Sequence, residues 1–321
     1  MASQPSLRLP IINFSKEELK PGTLKWNSVR VEVRKALEEY GAFEAVYDRM
    51  SPELCNQVFG ELKDLFNLPV EIKSRNLSEK FSLGYIGPSA MMPIFESIGI
   101  QDATELENIE SFANLMWPKG NTSFCNTVHS LVKQQSELDQ MVRRMVLESL
   151  GVEMYYKDHI ESTDYDLRVN KYEGTQTDKA ELGVISHIDK NVVTILNQNG
   201  VDGLEIQTKD GEWIRVKFSP NSFVVIIGYS LTAWTNGRLH PAHHRVIMTG
   251  KESRYSAGLF SIPKAGYMIN APEELVDEDH PLLFKPFDFF GLLMFARTEE
   301  GQRAKFLLET YCGVRDQKMK G

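Results

Sequence analysis

The sequence predicts an α+β fold in which a core of short strands is wrapped by helices from both ends. Three observations carry this. The first half repeats apolar side chains at helical spacing, residues 165–269 break into short β-rich runs separated by Gly, Asn, Asp and Pro, and residues from Phe284 onward return to a helical pattern. The 321 residues are 42% hydrophobic and 25% charged, which excludes disordered and collagen-like classes and leaves ample chain for a sizeable core.

A short strand over residues 7–13 precedes a helix over 27–40, where Val29, Val33, Ala36 and Leu37 share one face. Gly41 stops that helix, and residues 42–46 read as a strand. Ser51 as cap and Pro52 in the first turn open a helix that runs to about Phe66, and Leu68-Pro69 starts a further short one. Residues 81–97 are rich in Gly, Met and aromatics without a period and read as a loop. The longest helical pattern covers 121–150, carried by Val128, Leu131, Val132, Leu138, Val142, Met145, Val146 and Leu150, and Gly151 ends it. Strands follow at 167–172, 183–188, 192–197, 204–208, 212–216, 222–227, 243–249 and 255–262, with turn pairs at Asp210-Gly211 and Asn236-Gly237. Many short strands at close spacing read as a sandwich, jelly roll or barrel. Helix resumes from Phe284 through Phe295 and again from Thr298 to Tyr311.

The net charge of -8, from 36 basic and 44 acidic residues, and the absence of a basic stripe argue against a nucleic-acid partner. The mixed run 315–320 reads as a solvated tail. Cys55, Cys125 and Cys312 are odd in number and far apart, as reduced thiols of a cytoplasmic protein would be. The start MASQPSLRLP has no apolar signal core, and no apolar run is long enough to cross a bilayer, so no membrane association is expected. No heptad pattern demands a dimer, and a monomer is expected.

The sharpest local feature is His187-Ile188-Asp189. Residues two apart on a strand project from one face, so an imidazole and a carboxylate converge there. In isolation such a pair is more often a polar strand end beside a turn. A third ligand must come from elsewhere, and three histidines crowd together at His240, His243 and His244. The last two are consecutive, so on a strand only one faces inward, and His240, before Pro241, belongs to the preceding turn. Two His and one carboxylate suit a non-haem Fe(II) oxygenase, and on ligands alone they also suit zinc. Arg254 and Ser256, again two apart, make a carboxylate receptor on one inward face, and a buried Arg without an anion is costly. That favours a bound acid over a zinc hydrolase. Asn170 and Tyr172 place an amide and a phenol on one face of the strand before the metal pair.

These motifs resemble the plant soluble 2-oxoglutarate- and Fe(II)-dependent dioxygenases, whose pattern is H-x-D, a second His followed by Arg, and then R-x-S. Here they stand as His187-Ile188-Asp189, His244-Arg245 and Arg254-Tyr255-Ser256. Gly203-Leu204, Asp210-Gly211-Glu212-Trp213 and Ser256-Ala257-Gly258-Leu259-Phe260 also match, and Leu9-Pro10-Ile11-Ile12, Phe66-Asn67-Leu68-Pro69 and Trp117-Pro118 resemble the family's helical half. The resemblance is strongest to the AOP-type subgroup, through Asp189-Lys190-Asn191, Lys171-Tyr172-Glu173-Gly174 and Ile262-Pro263-Lys264-Ala265-Gly266. Four places depart from the family pattern: Ile188 for Thr, Tyr229 after Gly228 for Asp, Glu173-Gly174 for a Pro-containing continuation, and Tyr47-Asp48-Arg49 for Asn-His-Gly.

The resemblance implies a double-stranded β-helix (jelly-roll) core flanked by an N-terminal helical domain and C-terminal helices. The divisions are 1–120 for the N-terminal domain, 121–162 for a long connecting helix, 163–264 for the jelly roll and 265–321 for a C-terminal strand and helices. It implies Fe(II) on His187, Asp189 and His244, and 2-oxoglutarate on Arg254, Ser256 and Tyr172 with help from Asn170. Dioxygen is the other co-substrate and ascorbate a supporting reductant. The implied reaction oxidises a small specialised metabolite by hydroxylation, desaturation, demethylation or ring closure, with 2-oxoglutarate decarboxylated to succinate and CO2. Substrate is expected against Tyr85, Met91, Phe95 and Phe260, with the helical pattern at 289–294 nearby. Two other readings stay open: an Fe(II)/O2 oxidase that does not use 2-oxoglutarate, and an inactive small-molecule carrier.

Overall fold

The computed structural model describes residues 7–15, 19–77, 83–175 and 179–314. Phe81, the first residues of the chain and the tail at 315–320 lie outside the described residues. The N-terminal part runs β1 (Ile11–Asn13), α1 (Leu24–Glu39), β2 (Ala42–Val46), α2 (Pro52–Phe66), the short α3 (Val70–Lys73), β3 (Phe95–Ile100), α4 (Leu106–Met116), α5 (Thr122–Ser149) and α6 (Tyr156–Glu161). The core continues with β4 (Thr163–Tyr172), β5 (Glu181–His187), β6 (Val193–Gln198), β7 (Leu204–Gln207), β8 (Trp213–Arg215), β9 (Ser222–Ile227), α7 (Tyr229–Trp234), β10 (His244–Met248) and β11 (Arg254–Pro263). The antiparallel pair β12 (Met268–Ile269) and β13 (Phe287–Asp288) leads into α8 (Phe289–Phe295), α9 (Glu299–Arg303) and α10 (Leu307–Cys312).

Two sheets form the core. The larger has the order β1-β2-β9-β6-β11-β4-β3 and the smaller β5-β10-β7-β8, without closing into a barrel. Alternation sorts each strand of the large sheet between two neighbours. Tyr165, Leu167 and Val169 of β4, and Tyr255, Ala257 and Leu259 of β11, join the apolar core shared with the helices. Val224 and Ile226 of β9 instead meet Leu204 and Ile206 of β7, so the sheets pack face to face. The amide of Gln135 on α5 donates to the carbonyls of Ile195 and Ala257, tying the longest helix to the centre of the large sheet.

The predicted α+β architecture and nearly every strand of the second half are present. α5 begins at an Asn121 cap whose side chain accepts from Phe124 N–H, and Gly151 follows it at φ +72°. Three differences have plain physical causes. The loop expected over 81–97 ends in β3, five of whose six residues are buried, so no period-2 alternation marks it. α4 occupies residues to which no element was assigned, although Ile109, Phe112, Ala113 and Met116 lie buried at helical spacing. At the C-terminus the helix expected from Phe284 begins only at Phe289, and the one expected over 298–311 is two helices broken at Ala304. The thiols of Cys55, Cys125 and Cys312 are all free. Among the described residues no helix is long and apolar enough to cross a membrane.

Candidate active site

β5 and β10 pair antiparallel with His187 directly opposite His244, and the two imidazole rings stand 4.2 Å apart between centroids. Asp189 follows two residues beyond His187, so the pleat and the strand end bring it to the same place. One ligand atom from each of the three lies within 4.8 Å of the others. The Nε2 atoms of His187 and His244 are 3.6 and 3.8 Å from Asp189 Oδ1. Each Nδ1 lies near a carbonyl two residues earlier, Ile185 at 2.9 Å and Ala242 at 3.1 Å. A carbonyl only accepts, so each Nδ1 carries the proton and each Nε2 presents its lone pair toward the carboxylate. Three electron-pair donors aimed at one point fit a divalent metal, and the two-imidazole, one-carboxylate set fits Fe(II). His243 is exposed and His240 half-buried, so the strand face selects His244.

Electrostatics agree with this. Burial pushes the Asp189 carboxyl up, but His244, His187 and the Thr194 hydroxyl outweigh it and hold it well below the usual carboxylate range. Thr194 Oγ1 donates to Asp189 Oδ2 at 2.6 Å. Burial, then the neighbouring His187, lowers His244 to about 4, which keeps its imidazole neutral. The backbone around Asp189 is held from below by the start of α7. Tyr229 N–H donates to the Asp189 carbonyl at 2.9 Å and Ser230 Oγ to the Lys190 carbonyl at 2.6 Å. A Cβ on Gly228 would sit 2.3 Å from the Asn191 carbonyl, so only glycine fits.

The second group lies in the large sheet, where Arg254 pairs with Tyr172 and Ser256 with Asn170 across β11 and β4. Arg254 is 0% exposed. Its Nε donates to Gln198 Oε1 at 2.9 Å, while both terminal nitrogens lack a partner among the described residues. Its guanidinium carbon is 5.0 Å from the centre of the Tyr172 ring. Glycines make this space: a Cβ on Gly183 would meet Tyr172 at 2.7 Å, and one on Gly203 would crowd Arg254 at 3.1 Å. A buried cation with two unsatisfied ends costs several kcal/mol unless an anion completes it, and a carboxylate is the matching fork. Asn170 Nδ2 donates to Ser256 Oγ at 3.3 Å, and its Oδ1 is unpartnered. That free atom is an acceptor, so Asn170 suits orienting Ser256 better than binding a carboxylate itself.

A cavity of about 200 Å³ adjoins the metal group, with His187 and Asp189 in its wall. Phe260 lines it, together with Asp166, Arg168, Ile262 and, from α8, Phe289, Phe290 and Leu293. The other expected substrate contacts lie elsewhere. The Tyr85 hydroxyl donates to Glu96 at 2.9 Å, Met91 is 74% exposed, and Phe95 packs 5.2 Å from the Tyr172 ring behind Arg254. β3 pairs with the edge of β4, and of the loop that precedes it Leu83, not the expected Tyr85, Met91 or Phe95, lines the cavity. Of the helix expected nearby, Phe289, Phe290 and Leu293 face the cavity and Met294 is 55% exposed.

Sequence reasoning did not single out Asp166, Arg168, Thr194 or Gln198. β4 carried the signal for the first two: Asp166, Arg168, Asn170 and Tyr172 alternate with buried Leu167 and Val169, so one strand face is polar throughout. Arg168 Nη1 donates to Ser97 Oγ at 2.9 Å and its Nη2, shielded from solvent, has no partner. Burial lowers Arg168 to about 10, leaving it charged at neutral pH.

Residues 163–263 match the family described as the 2OG-Fe(II) oxygenase superfamily, and residues 9–94 match the non-haem dioxygenase in morphine synthesis N-terminal family. A curated relative in Arabidopsis thaliana, probable 2-oxoglutarate-dependent dioxygenase AOP1.2, is 49% identical over 312 residues, covering 95% of this chain and 96% of its own. Among solved structures, the dioxygenase for auxin oxidation of rice superposes with a TM-score of 0.81 at 27% identity, over 95% of this chain and 100% of that one. The 2-oxoglutarate complex of dioxygenase for auxin oxidation 1 from Arabidopsis thaliana gives 0.77 at 26% identity, over 85% and 99%.

Proposed function

The chain belongs to the 2OG-Fe(II) oxygenase superfamily and is a 2-oxoglutarate-dependent dioxygenase acting on a small molecule; from that premise we propose how its residues divide the work. His187, Asp189 and His244 hold Fe(II). Arg254, Ser256 and Tyr172 receive the distal carboxylate of 2-oxoglutarate, and Asn170 fixes the Ser256 hydroxyl. Iron(II), with 2-oxoglutarate and dioxygen, supplies oxidation of a substrate carbon coupled to release of succinate and CO2, and ascorbate keeps the metal reduced.

The chain's own contribution is placement. Thr194 and the two backbone carbonyls orient the metal ligands before any metal arrives. Gln198 fixes the Arg254 fork through Nε, so both terminal nitrogens wait for one carboxylate. Phe260, Phe289, Phe290 and Leu293 give the cavity an apolar wall that excludes water from the reacting carbon. No side chain is needed as a general base.

The unfinished Arg254 carries this reading, because an oxidase without 2-oxoglutarate would leave that buried charge uncompensated. The substrate is a small specialised metabolite, in keeping with relatives named for auxin oxidation and for the AOP group. The three free thiols support a cytoplasmic protein, and the lack of a heptad pattern a monomer. Two matched segments, 9–94 and 163–263, support division into an N-terminal domain (1–120), a linking helix (121–162), the jelly roll (163–264) and a C-terminal cap (265–321).

The test is CO2 release from carboxyl-labelled 2-oxoglutarate with Fe(II) and ascorbate. The native chain releases label, and Asp189→Ala falls to the protein-free background. Native-rate release by Asp189→Ala, or none by the native chain, overturns the assignment.

A further inference from the structure

Arg168 has no role in the division of labour above, yet it is the one guanidinium that lines the cavity beside the metal group. Ser97 satisfies its Nη1, and among the described residues nothing satisfies its Nη2. Among the described residues no carboxylate lies within ion-pair distance of it. The cavity's two acids do not fill that place: Asp189 faces the histidines, and Asp166 Oδ1 accepts the backbone N–H of Asp102 at 3.0 Å. Lys190 adds a second cation to the same wall.

Arg168 is out of reach of the 2-oxoglutarate carboxylate assigned to Arg254. In register it faces Gly258, four residues along β11 from Arg254. Four residues of strand span roughly 13 Å, longer than an extended five-carbon diacid. Gly258 has no side chain to cover the guanidinium, and the next inward residue, Phe260, begins the apolar wall continued by Phe289 and Phe290. The cavity therefore has a charged end and an apolar body.

We propose that this enzyme's substrate is a compact oxyanion, a carboxylate or a sulfate ester, whose anionic group is received by Arg168 and whose apolar body lies against Phe260, Phe289, Phe290 and Leu293. The proposal rests on reading this cavity as the substrate site. At about 200 Å³ it is smaller than the roughly 300–1,000 Å³ of drug-sized sites, hence a compact ligand. A completed charge-assisted bond at a desolvated guanidinium is the strongest polar contact this wall offers. Arg168 is then a specificity residue: it selects the anion and fixes which carbon faces the metal.

The experiment measures binding to the full chain loaded with Mn(II) and 2-oxoglutarate, by calorimetry. The probes are 3-phenylpropanoate, 3-phenylpropyl sulfate and their neutral counterpart 3-phenylpropanamide. At least one anion binds tenfold or more tightly than the amide, and whichever does so identifies the oxyanion. Arg168→Met brings that anion's affinity down to the amide's, while Arg168→Lys, which keeps the charge and guards against a folding defect, retains part of the preference. The proposal is wrong if neither anion outbinds the amide, if Arg168→Met keeps the preference, or if Arg168→Met weakens 2-oxoglutarate instead. Substrate-free succinate release by the native chain, measured in parallel, separates the two readings: its loss strikes the dioxygenase assignment, and its persistence without anion preference strikes only this one.

Discussion

Among the described residues two arginines are wholly buried, one on each face of the large sheet. On the helical face, the charge and both terminal nitrogens of Arg143 of α5 are met by the chain itself, and only its Nε lacks a well-aligned hydrogen bond. Its Nε stands 3.1 Å from Asp139, Nη1 donates to the His159 carbonyl at 2.9 Å, and Nη2 donates to Thr163 Oγ1 at 3.1 Å. On the inner face, Arg254 has Gln198 on Nε and the Tyr172 phenol beside it, and among the described residues neither terminal nitrogen has a well-formed hydrogen bond. The side chains are the same and the burial is the same. The difference lies in who supplies the partner: the fold for Arg143 and, in the function proposed above, a ligand for Arg254. An unfinished buried charge is a cost that stability alone would remove, so its presence marks a site.

The largest effect should come from breaking the finished one. Arg143→Met leaves Asp139 buried without its cation and removes donors from the His159 carbonyl and Thr163, an expected loss of about 3–5 kcal/mol. Urea unfolding of native and variant chains measures it, and what remains folded binds 2-oxoglutarate as before. A variant as stable as the native chain would mean that Arg143 is no part of the scaffold.

Arg254→Met should do the reverse. Among the described residues no carboxylate loses an ion-pair partner, so apo stability holds or rises, as it does when buried charges are replaced by apolar side chains of similar volume. Affinity for 2-oxoglutarate should fall by about 2–3 kcal/mol, roughly 30–150-fold, read as the 2-oxoglutarate concentration needed for half-maximal succinate formation. Destabilisation with unchanged 2-oxoglutarate dependence would make the two arginines alike and dissolve the contrast.

The two faces also differed in how far the sequence exposed them. The residues proposed for the metal and the co-substrate were legible because each pair sits two apart on a strand: His187 and Asp189, Arg254 and Ser256, Asn170 and Tyr172. That these pairs converge depends on register, with His187 opposite His244 and Arg254 opposite Tyr172, and pattern reading cannot supply register without the sheet order. Arg168 obeys the same alternation between Asp166 and Asn170, and was overlooked because the family pattern on this strand was read only from Asn170 onward. Of the residues expected near the substrate, Phe260 and the pattern at 289–294 line the cavity while Tyr85, Met91 and Phe95 do not, for a different reason. The aromatic loop before β3 and the aromatic start of α8 look alike in composition, and only long-range packing decides that the second covers the cavity. Arg143 gave no signal either, since a helical Arg four residues from an Asp is usually a solvated pair.

The smallest effect sharpens the contrast by pH. His159 touches the finished arginine: its Nδ1 lies 3.4 Å from Arg143 Nη1, and its ring meets the edge of Trp234 at 4.7 Å. A guanidinium only donates, so Nδ1 accepts and the imidazole is neutral. Burial first, then the Arg143 charge, holds His159 well below its ordinary value. Above pH ~6.5 both folded and unfolded chains carry it neutral, and it adds no pH dependence. Below that, the unfolded chain takes up a proton that the folded chain refuses, so stability falls as pH falls from 7.5 to 5.5. His240, lowered to about 4 chiefly by burial, acts in the same direction. Substituting His159→Asn keeps an acceptor for Arg143 and cannot titrate. Urea midpoints of the metal-free chains across that interval should therefore fall less steeply for the variant than for the native protein, whatever its stability at pH 7.5. Parallel slopes would mean that His159 is protonated beside Arg143, and that the helical face is no more complete than the one that awaits its ligand.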